Sequence, residues 1–346
     1  MTIVGWDRTG HAPLTERRDY ATIHRLRIPA HFGSGLANAP HLVRWQLGLF
    51  WWLVEHNDSY SHIHACYFDT VLPALAMKWF FGKIVVYDIF DFYADMLRKV
   101  PDRIRRLVKA VDLRVIGAVD AVILADESRV EQIAGARPRR LEVIYNSPEE
   151  VKGDTEAARH EGRLKVVYVG LLQMERGITT MLDVMSRHPE WELDLAGFGG
   201  DEAVIVSRAA ALPNVRIHGK VDYRRTLEFT AAADVLFATY DPSIPNHRYS
   251  SANKLFEAML MGKPIIVAQR TGMDRTVAKH RVGFIVQYGA VDQLEAALKE
   301  VERWDTQTQR AFAHHARSVY DCEFSWSLMR KRLVKLYADL SADKRC

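Results

Sequence analysis

The sequence predicts an α/β protein built from two doubly wound, Rossmann-like domains. Strand-like and helix-like segments alternate along nearly all of its 346 residues, and they form two consecutive series of similar size. The polar stretch Glu149–Arg163 lies between the two series and has the composition of a linker. Open parallel sheets bind ligands beyond the carboxyl ends of their strands. We therefore expect the two domains to face a central cleft.

The elements of the first series follow from apolar runs and helical periodicity. The predicted strands are Thr2–Trp6, Thr22–Ile28, His62–Ala65, Lys83–Asp88, Ala121–Ala125 and Leu141–Ile144. The predicted helices are Pro40–Glu55, Thr70–Phe80, Pro101–Ile116 and Glu127–Ile133.

The second series is read in the same way. Its predicted strands are Lys165–Val169, Glu192–Ala196, Val215–Gly219, Val235–Ala238, Pro264–Ala268 and Gly283–Val286. Its predicted helices are Thr179–Arg187, Asp201–Ala211, Arg224–Ala232, Asn253–Met261 and Val291–Arg303. A last helix, Trp326–Leu340, should cross back to the first domain. The first predicted domain therefore comprises residues 1–150 together with the C-terminal helix within 323–346. The second comprises residues 151–322.

Composition excludes several classes of protein. The net charge is only +4, and no DNA-docking motif is present, so we expect no nucleic-acid partner. Cys66, Cys322 and Cys346 are too scattered for a zinc site, and reduced thiols favour a cytoplasmic protein. No uncharged apolar run reaches the roughly 20 residues that span a bilayer.

The segment Pro245–Ala268 predicts a loop, a helix and a buried strand. Ser250 or Ser251 is expected to cap a helix that begins near Ala252. The amide groups at a helix N-terminus suit a phosphate group or sugar hydroxyls. Glu257, one to two turns into the helix, could bind two ribose hydroxyls. The alternative is a surface helix with a routine cap and an exposed glutamate.

A second motif, Val166–Leu182, predicts a strand that ends at Gly170, a short loop, and a helix after Gly177. Glycine lets the backbone approach a ligand closely. Arg176 would lie at the helix entry, where a guanidinium can bind a diphosphate through two hydrogen bonds.

The stretch NKLFEAMLMGKPII resembles the donor-binding motif of family-4 glycosyltransferases, which are retaining enzymes of the GT-B fold. Their motif usually holds two glutamates eight positions apart, and here Tyr249 and Glu257 occupy those positions. The resemblance implies that Glu257 binds the ribose. The expected donor-binding residues are Gly170, Arg176, Gly197, Tyr249, Ser250, Ser251, Ala252, Asn253, Lys254 and Glu257.

The resemblance covers Lys165–Leu298 and includes the glycine turn Ala196–Gly200. In the family, two basic residues hold the leaving diphosphate. Arg176 matches the second of them, whereas Leu171 stands at the first position. Lys254 is a candidate substitute for that missing cation.

The first half resembles the acceptor domain of the same family through His62–Ala76 and Val85–Met96. Phe90 stands where many members have a histidine near the reacting sugar. Asp91 is a candidate catalytic residue that would orient the acceptor hydroxyl or take its proton. The alternative is that Asp91 caps the next helix. The family's usual first strand and glycine-rich turn are not recognised in this sequence.

The resemblance implies transfer of a sugar from a nucleoside-diphosphate sugar to an acceptor hydroxyl, with retention of configuration. Arg176 would stabilise the departing diphosphate. The expected donor is a UDP-sugar or a GDP-sugar, with no metal or other cofactor, and the acceptor is a sugar or a lipid-linked molecule. Two alternatives stay open: a nucleotide-sugar epimerase, and a nucleotide-sugar-binding protein with little or no activity.

The segment 99–115 has an apolar stripe at helical spacing with basic residues around it. Such a helix either lies on an anionic membrane or packs on its own domain with a solvated basic face. The first alternative would place the protein at the inner face of the membrane.

Overall fold

A computed structural model describes residues 1–30, 35–98, 100–149 and 162–344. Most of the predicted linker Glu149–Arg163 therefore lies outside the described residues. The chain divides into two compact units. The first comprises Met1–Ile144 with Leu336–Cys346, and the second comprises Tyr145–Lys335.

The first unit contains two separate sheets. Its strands are β1 Thr2–Asp7, β2 Thr15–Arg18, β3 Ala21–Arg27, β4 His62–Cys66, β5 Ile84–Ile89, β6 Ala121–Leu124 and β7 Leu141–Val143. One sheet has the order β1-β3-β2 and the other has the order β4-β5-β6-β7. All neighbours in the second sheet are parallel, so the carboxyl ends of β4, β5 and β6 lie at the same edge.

The helices of the first unit are α1 Ala39–Glu55, α2 Phe68–Phe81, α3 Tyr93–Met96, α4 Asp102–Ala118 and α5 Arg129–Gln132. Trp45, Leu49 and Leu53 recur every four residues on α1 and are all buried. The Trp45 ring stacks on Trp6 of β1 with centroids 5.6 Å apart. Burial of this stripe, rather than helix propensity, is the main source of stability for such a helix.

The second unit is built on one parallel sheet of the order β10-β9-β8-β11-β12-β13. Its strands are β8 Lys165–Leu171, β9 Glu192–Phe198, β10 Val215–Gly219, β11 Val235–Ala238, β12 Ile265–Ala268 and β13 Gly283–Val286. The chain adds strands on one side of β8 and then returns to add the rest on its other side. The strand order thus reverses between β8 and β11, and ligands bind at such a switch point in open parallel sheets.

The helices of the second unit follow its strands. They are α6 Ile178–Arg187, α7 Glu202–Ala209, α8 Tyr223–Ala231, α9 Asn253–Leu260, α10 Met273–His280, α11 Val291–Glu302, α12 Thr306–Val319 and the first part of α13 Trp326–Asp343. The core beneath them includes the fully buried Trp191, Tyr168 and Phe237. Val235 to Ala238 are all buried, which accounts for the uninterrupted apolar run of β11.

The end of α13 belongs to the first unit. The Tyr337 hydroxyl lies 2.7 Å from Nδ1 of His64, whose Nε2 lies 2.9 Å from the Asp88 carboxylate. Arg140 donates to Asp343 over 2.8 Å. His64 thus helps to hold the end of the last helix against the sheet.

The predicted α/β class with parallel sheets is confirmed, whereas some elements were not predicted. Strand β2 (Thr-Glu-Arg-Arg) is an exposed edge strand without apolar alternation. Helix α12 was not predicted either, and among its residues only Ala316 is buried. Helix α5 is shorter than predicted. In the part of the chain that the structure describes, no helix has the length and hydrophobicity to cross a membrane.

Candidate functional site

Two glycines, Gly170 and Gly197, pair near the carboxyl ends of β8 and β9, where the two backbones lie too close for a side chain. Gly170 and Gly197 are paired in register and have φ values of +152° and +154°. A Cβ atom on Gly197 would lie 1.7 Å from the Gly170 carbonyl oxygen, so no other residue fits there. A Cβ atom on Gly170 would meet the Lys254 ammonium at 2.7 Å. This edge brings backbone and a cation together at the switch point.

The loop after β8 places Arg176 beside the end of β11. Met174–Arg176 forms a short 3-10 helix, and Gly177 follows it with φ +74°. A Cβ atom at Gly177 would collide with Thr239, so glycine is needed for the loop to pack against this strand end. The Arg176 guanidinium carbon lies 4.2 Å above the ring centroid of Tyr240.

Tyr240 joins the two candidate cations of the site. Its hydroxyl accepts a hydrogen bond from Lys254 Nζ over 3.3 Å and a second from Arg176. Burial raises the pKa of Tyr240, but the charges of Lys254 and Arg176 outweigh burial and lower it. Lys254 also lies 4.5 Å from the ring centroid of Tyr168. The Tyr240 hydroxyl and the rings of Tyr168 and Tyr240 hold the side chains of Lys254 and Arg176 close together. Two neighbouring positive charges favour the binding of an anion.

Helix α9 begins beside this cluster, and its capping differs from the prediction. Ala252 is the N-cap residue, and within the described chain no side chain caps the helix. The expected cap by Ser250 or Ser251 is therefore wrong. Both serines are buried, and the Ser250 amide donates to the Thr271 carbonyl over 3.0 Å. Ala252 itself has no side-chain acceptor for the amide groups of the first turn, and amide groups at a helix N-terminus are the donors that an anionic ligand uses.

Glu257 lies on the same helix and is 3% exposed, so the alternative of an exposed surface glutamate is wrong. Burial raises its pKa, although the Lys254 charge and a hydrogen bond with Tyr223 lower it in part. A buried carboxyl group with a phenol partner on one side is suited to bind hydroxyl groups. This arrangement favours the role that the resemblance implied for Glu257.

The predicted residues meet at Lys254. Its ammonium group lies against Gly170, and its charge acts on Glu257. Arg176 joins the cluster through its hydrogen bond to Tyr240. Tyr249 ends the 3-10 helix Pro245–Tyr249 and, among the described residues, does not take part in these contacts. Tyr168, Tyr223 and Tyr240 are additional candidates that the sequence did not indicate. Tyr168 and Tyr240 lie in or just after apolar strands and resemble core residues in sequence. Only the fold brings the Tyr240 hydroxyl to Lys254 and Arg176 and the Tyr168 ring to Lys254.

Asp91 lies in the first unit, just after β5. Its Oδ1 accepts a hydrogen bond from Arg129 Nη2 over 2.9 Å, and the Arg129 side chain is buried. Phe92, rather than Asp91, is the N-cap residue of α3, so the capping alternative is wrong. The guanidinium fixes a half-exposed carboxylate at the strand end. Among the described residues no cluster of three metal-ligating side chains is found.

Known proteins resemble this chain, most clearly in its second unit. Residues 163–303 match the family described as Glycosyl transferases group 1. The chain is 25% identical over 177 residues to a phosphatidyl-myo-inositol mannosyltransferase of Mycobacterium leprae, which covers 50% of this chain and 46% of that protein. The chain spans about half the length of the curated relatives that it matches, 46% and 54%. The second unit is therefore similar to the glycosyl transferases group 1 family over residues 163–303.

Solved structures share the fold. A sucrose-phosphate synthase from Thermosynechococcus elongatus has a TM-score of 0.80 at 16% identity, with 99% of this chain and 89% of that chain covered. Anabaena HepE, solved with UDP and glucose, has a TM-score of 0.70 at 16% identity, with 97% and 99% covered. These similarities establish the predicted GT-B fold.

Proposed function

We propose that this protein is a glycosyltransferase that moves a sugar from a nucleoside-diphosphate sugar to an acceptor hydroxyl. The observation that carries the proposal is the cluster of Arg176, Tyr240 and Lys254 at the β8–β11 switch point. Two cations, the uncapped N-terminus of α9 and the glycine edge converge there. Together they suit a diphosphate group.

The donor residues have separate roles in this proposal. Arg176 and Lys254 bind the diphosphate oxygens, and the glycines Gly170 and Gly197 allow the ligand to approach the backbone. The buried Glu257 accepts hydrogen bonds from two ribose hydroxyls. Residues Tyr249–Asn253 contribute backbone groups to the transferred sugar or to the diphosphate.

Catalysis consists mainly of stabilising the leaving group. The bond between the anomeric carbon and the diphosphate oxygen breaks, and the acceptor oxygen forms a bond to the same carbon. With attack from the leaving-group side, the configuration is retained and the diphosphate receives the acceptor proton. Arg176 and Lys254 neutralise the charge that develops on the diphosphate, and such preorganised donors typically account for large rate effects.

We propose UDP as the first candidate for the nucleotide and GDP as the alternative, with no metal cofactor. The UDP bound in the Anabaena HepE structure supports this order. The acceptor is a sugar or lipid-linked molecule, in keeping with the inositol lipid named for the mycobacterial relative. Asp91, fixed by Arg129, is the candidate to orient the acceptor hydroxyl.

The melting temperature of the full chain with UDP, GDP, ADP and their parent nucleosides tests the donor site. A ligand that binds the native state raises the melting temperature. We expect one nucleoside diphosphate to stabilise the protein and its parent nucleoside to have little effect. If none of the three diphosphates raises the melting temperature, the proposed donor site is contradicted. Product analysis with a supplied acceptor then separates transfer from epimerisation or binding alone.

We also propose that α4 contacts an anionic membrane from the cytoplasmic side. Ile104 and Leu107 are 39% and 63% exposed, and the charged side chains of Arg103, Arg106 and Lys109 are exposed beside them. Apolar groups between basic residues are the pattern of a helix that lies in a lipid interface.

Sedimentation with phosphatidylglycerol vesicles and with phosphatidylcholine vesicles tests this contact. Replacing both Ile104 and Leu107 by glutamine should reduce partitioning to the anionic vesicles by about fivefold or more, since fully burying one such apolar side chain contributes about 1.5–3 kcal/mol. Val204→Gln, an equally exposed apolar position on α7, is the matched control. Equal sedimentation of wild type with both vesicle types would refute the proposal.

A further inference from the structure

Helix α1 carries an apolar stripe on its solvent-exposed side. Val43, Leu47 and Trp51 recur every four residues and are 52%, 55% and 60% exposed. The stripe that α1 buries in the first unit lies on the opposite side of the same helix. The solvent side of a surface helix ordinarily carries polar residues. A helix that is apolar on both sides therefore has a second surface to cover.

The neighbouring helix α2 ends with two more exposed aromatic residues, Trp79 and Phe80. Lys83, just after α2, donates to the carbonyl oxygens of Asn57 and Tyr60, just after α1, over 2.6 and 2.8 Å. The C-terminal ends of the two helices therefore lie together. Exposed apolar patches larger than a few hundred Å² mark interaction sites on soluble proteins.

The charges of α1 lie on the same side as its exposed stripe. Arg44 and Glu55 are the only charged residues of this helix, and both are exposed. They are 11 positions apart in sequence, just over three turns, so they lie on one side of the helix about 16 Å from each other along its axis. Among the described residues, neither side chain forms an ion pair.

This charge pattern favours a second copy of the chain over a lipid surface as the partner. An anionic membrane attracts a helix whose polar face is rich in lysine and arginine, whereas α1 carries one charge of each sign. In an interface with a two-fold axis, the same surface of each copy contacts the other. When two α1 helices lie antiparallel, Arg44 of each copy comes opposite Glu55 of the other. The exposed side of α1 is thus complementary to itself.

We propose that this protein forms a two-fold symmetric dimer through α1 and the end of α2. The exposed stripe of α1 is the apolar centre of the interface, and two ion pairs between Arg44 and Glu55 flank it. A stable interface buries about 800 Å² of each partner, and an aromatic side chain buries about 150–250 Å². Trp51, Trp79 and Phe80 therefore supply a large part of the required area. Homodimer interfaces are also more apolar than the rest of a protein surface.

Sedimentation velocity of the full chain at several concentrations tests the dimer. We expect wild type to show a dimer whose fraction rises with concentration. Replacing Leu47 by asparagine together with Trp51 by serine should weaken dimerisation by about tenfold or more, because central aromatic residues carry much of the binding energy. Both side chains are largely exposed, so the fold of the monomer should persist.

Charge reversal tests the antiparallel arrangement. Arg44→Glu and Glu55→Arg should each weaken dimerisation by about tenfold, because the two-fold axis turns one substitution into two contacts between like charges. An equimolar mixture of the two variants should associate nearly as tightly as wild type, because both contacts then join opposite charges. The variant that carries both substitutions should recover in the same way.

Arg114→Glu, which reverses an exposed charge on α4, is the matched control and should dimerise as wild type does. Thermal unfolding checks that every variant is folded. A monomeric wild type, single charge variants that dimerise normally, or no recovery in the mixture would overturn the proposal. So would a monomer that sediments with phosphatidylglycerol vesicles and loses this property when Leu47 and Trp51 are replaced, because a membrane would then cover the stripe.

Discussion

Replacing Arg176 by alanine or Lys254 by methionine should lower kcat for nucleoside-diphosphate release by about 10²- to 10³-fold each, the range seen when one preorganised electrostatic donor is removed. The physical reason is that the charge of the leaving diphosphate grows in the transition state, where both cations contact it. The double variant should lose less than the product of the two single losses, because Tyr240 couples the two side chains. Steady-state assays with the donor whose nucleotide stabilises the protein measure these changes.

Lys263→Met is the matched control for Lys254→Met. Lys263 is also buried, at 7% exposure, and lies just beyond the other end of α9. Burial lowers its pKa, and Asp234 opposes this effect. Removing Lys263 should change stability but leave kcat within about threefold, since sites that share no partner couple by only about 0.3–0.5 kcal/mol. If the Lys263 and Lys254 variants lose equal activity, the charge of Lys254 is not acting on the diphosphate.

Glu257→Gln should weaken nucleoside-diphosphate binding by about 10- to 100-fold while leaving the protein as stable as wild type or more stable. Hydrogen bonds to a charged group contribute about 1.5–3 kcal/mol, which corresponds to this loss of affinity. Glutamine keeps a partner for Tyr223 but removes the cost of burying a charge. Calorimetric titration and thermal unfolding give the two quantities.

The pH dependence of stability shows whether the stability of Glu257→Gln comes from removal of a buried charge or from a change in packing. Burial raises the folded-state pKa of Glu257 above its ordinary value of 4.5, so the folded protein binds the proton more tightly than the unfolded chain does. The contribution of Glu257 to stability is therefore greatest below pH 4.5 and falls as the pH rises from there. The stability advantage of Glu257→Gln should appear at neutral pH and vanish below pH 4.5. A constant difference across this range would contradict the buried-charge argument.

The candidate donor-site residues could be predicted from the sequence because the motifs that carry them are local. Val166–Leu182 and Pro245–Ala268 each specify a strand, a turn and a helix within about 20 residues. These motifs indicated Gly170, Arg176 and Glu257, and the family resemblance added Lys254 as the substitute for a missing cation. The cap by Ser250 or Ser251 was wrong because the helix starts at Asn253, which puts Ala252 in the N-cap position.

By itself, the sequence determined the alternation of strands and helices and the residue types at the strand ends, since both follow from short-range periodicity and turn chemistry. The tertiary structure decided the strand order of each sheet, which depends on pairings between distant segments. That order places Tyr240 after β11 against Arg176 after β8. It also joins Asp91 to Arg129 across 38 residues. Contacts of this kind depend on burial and packing, which a linear pattern of residues does not contain.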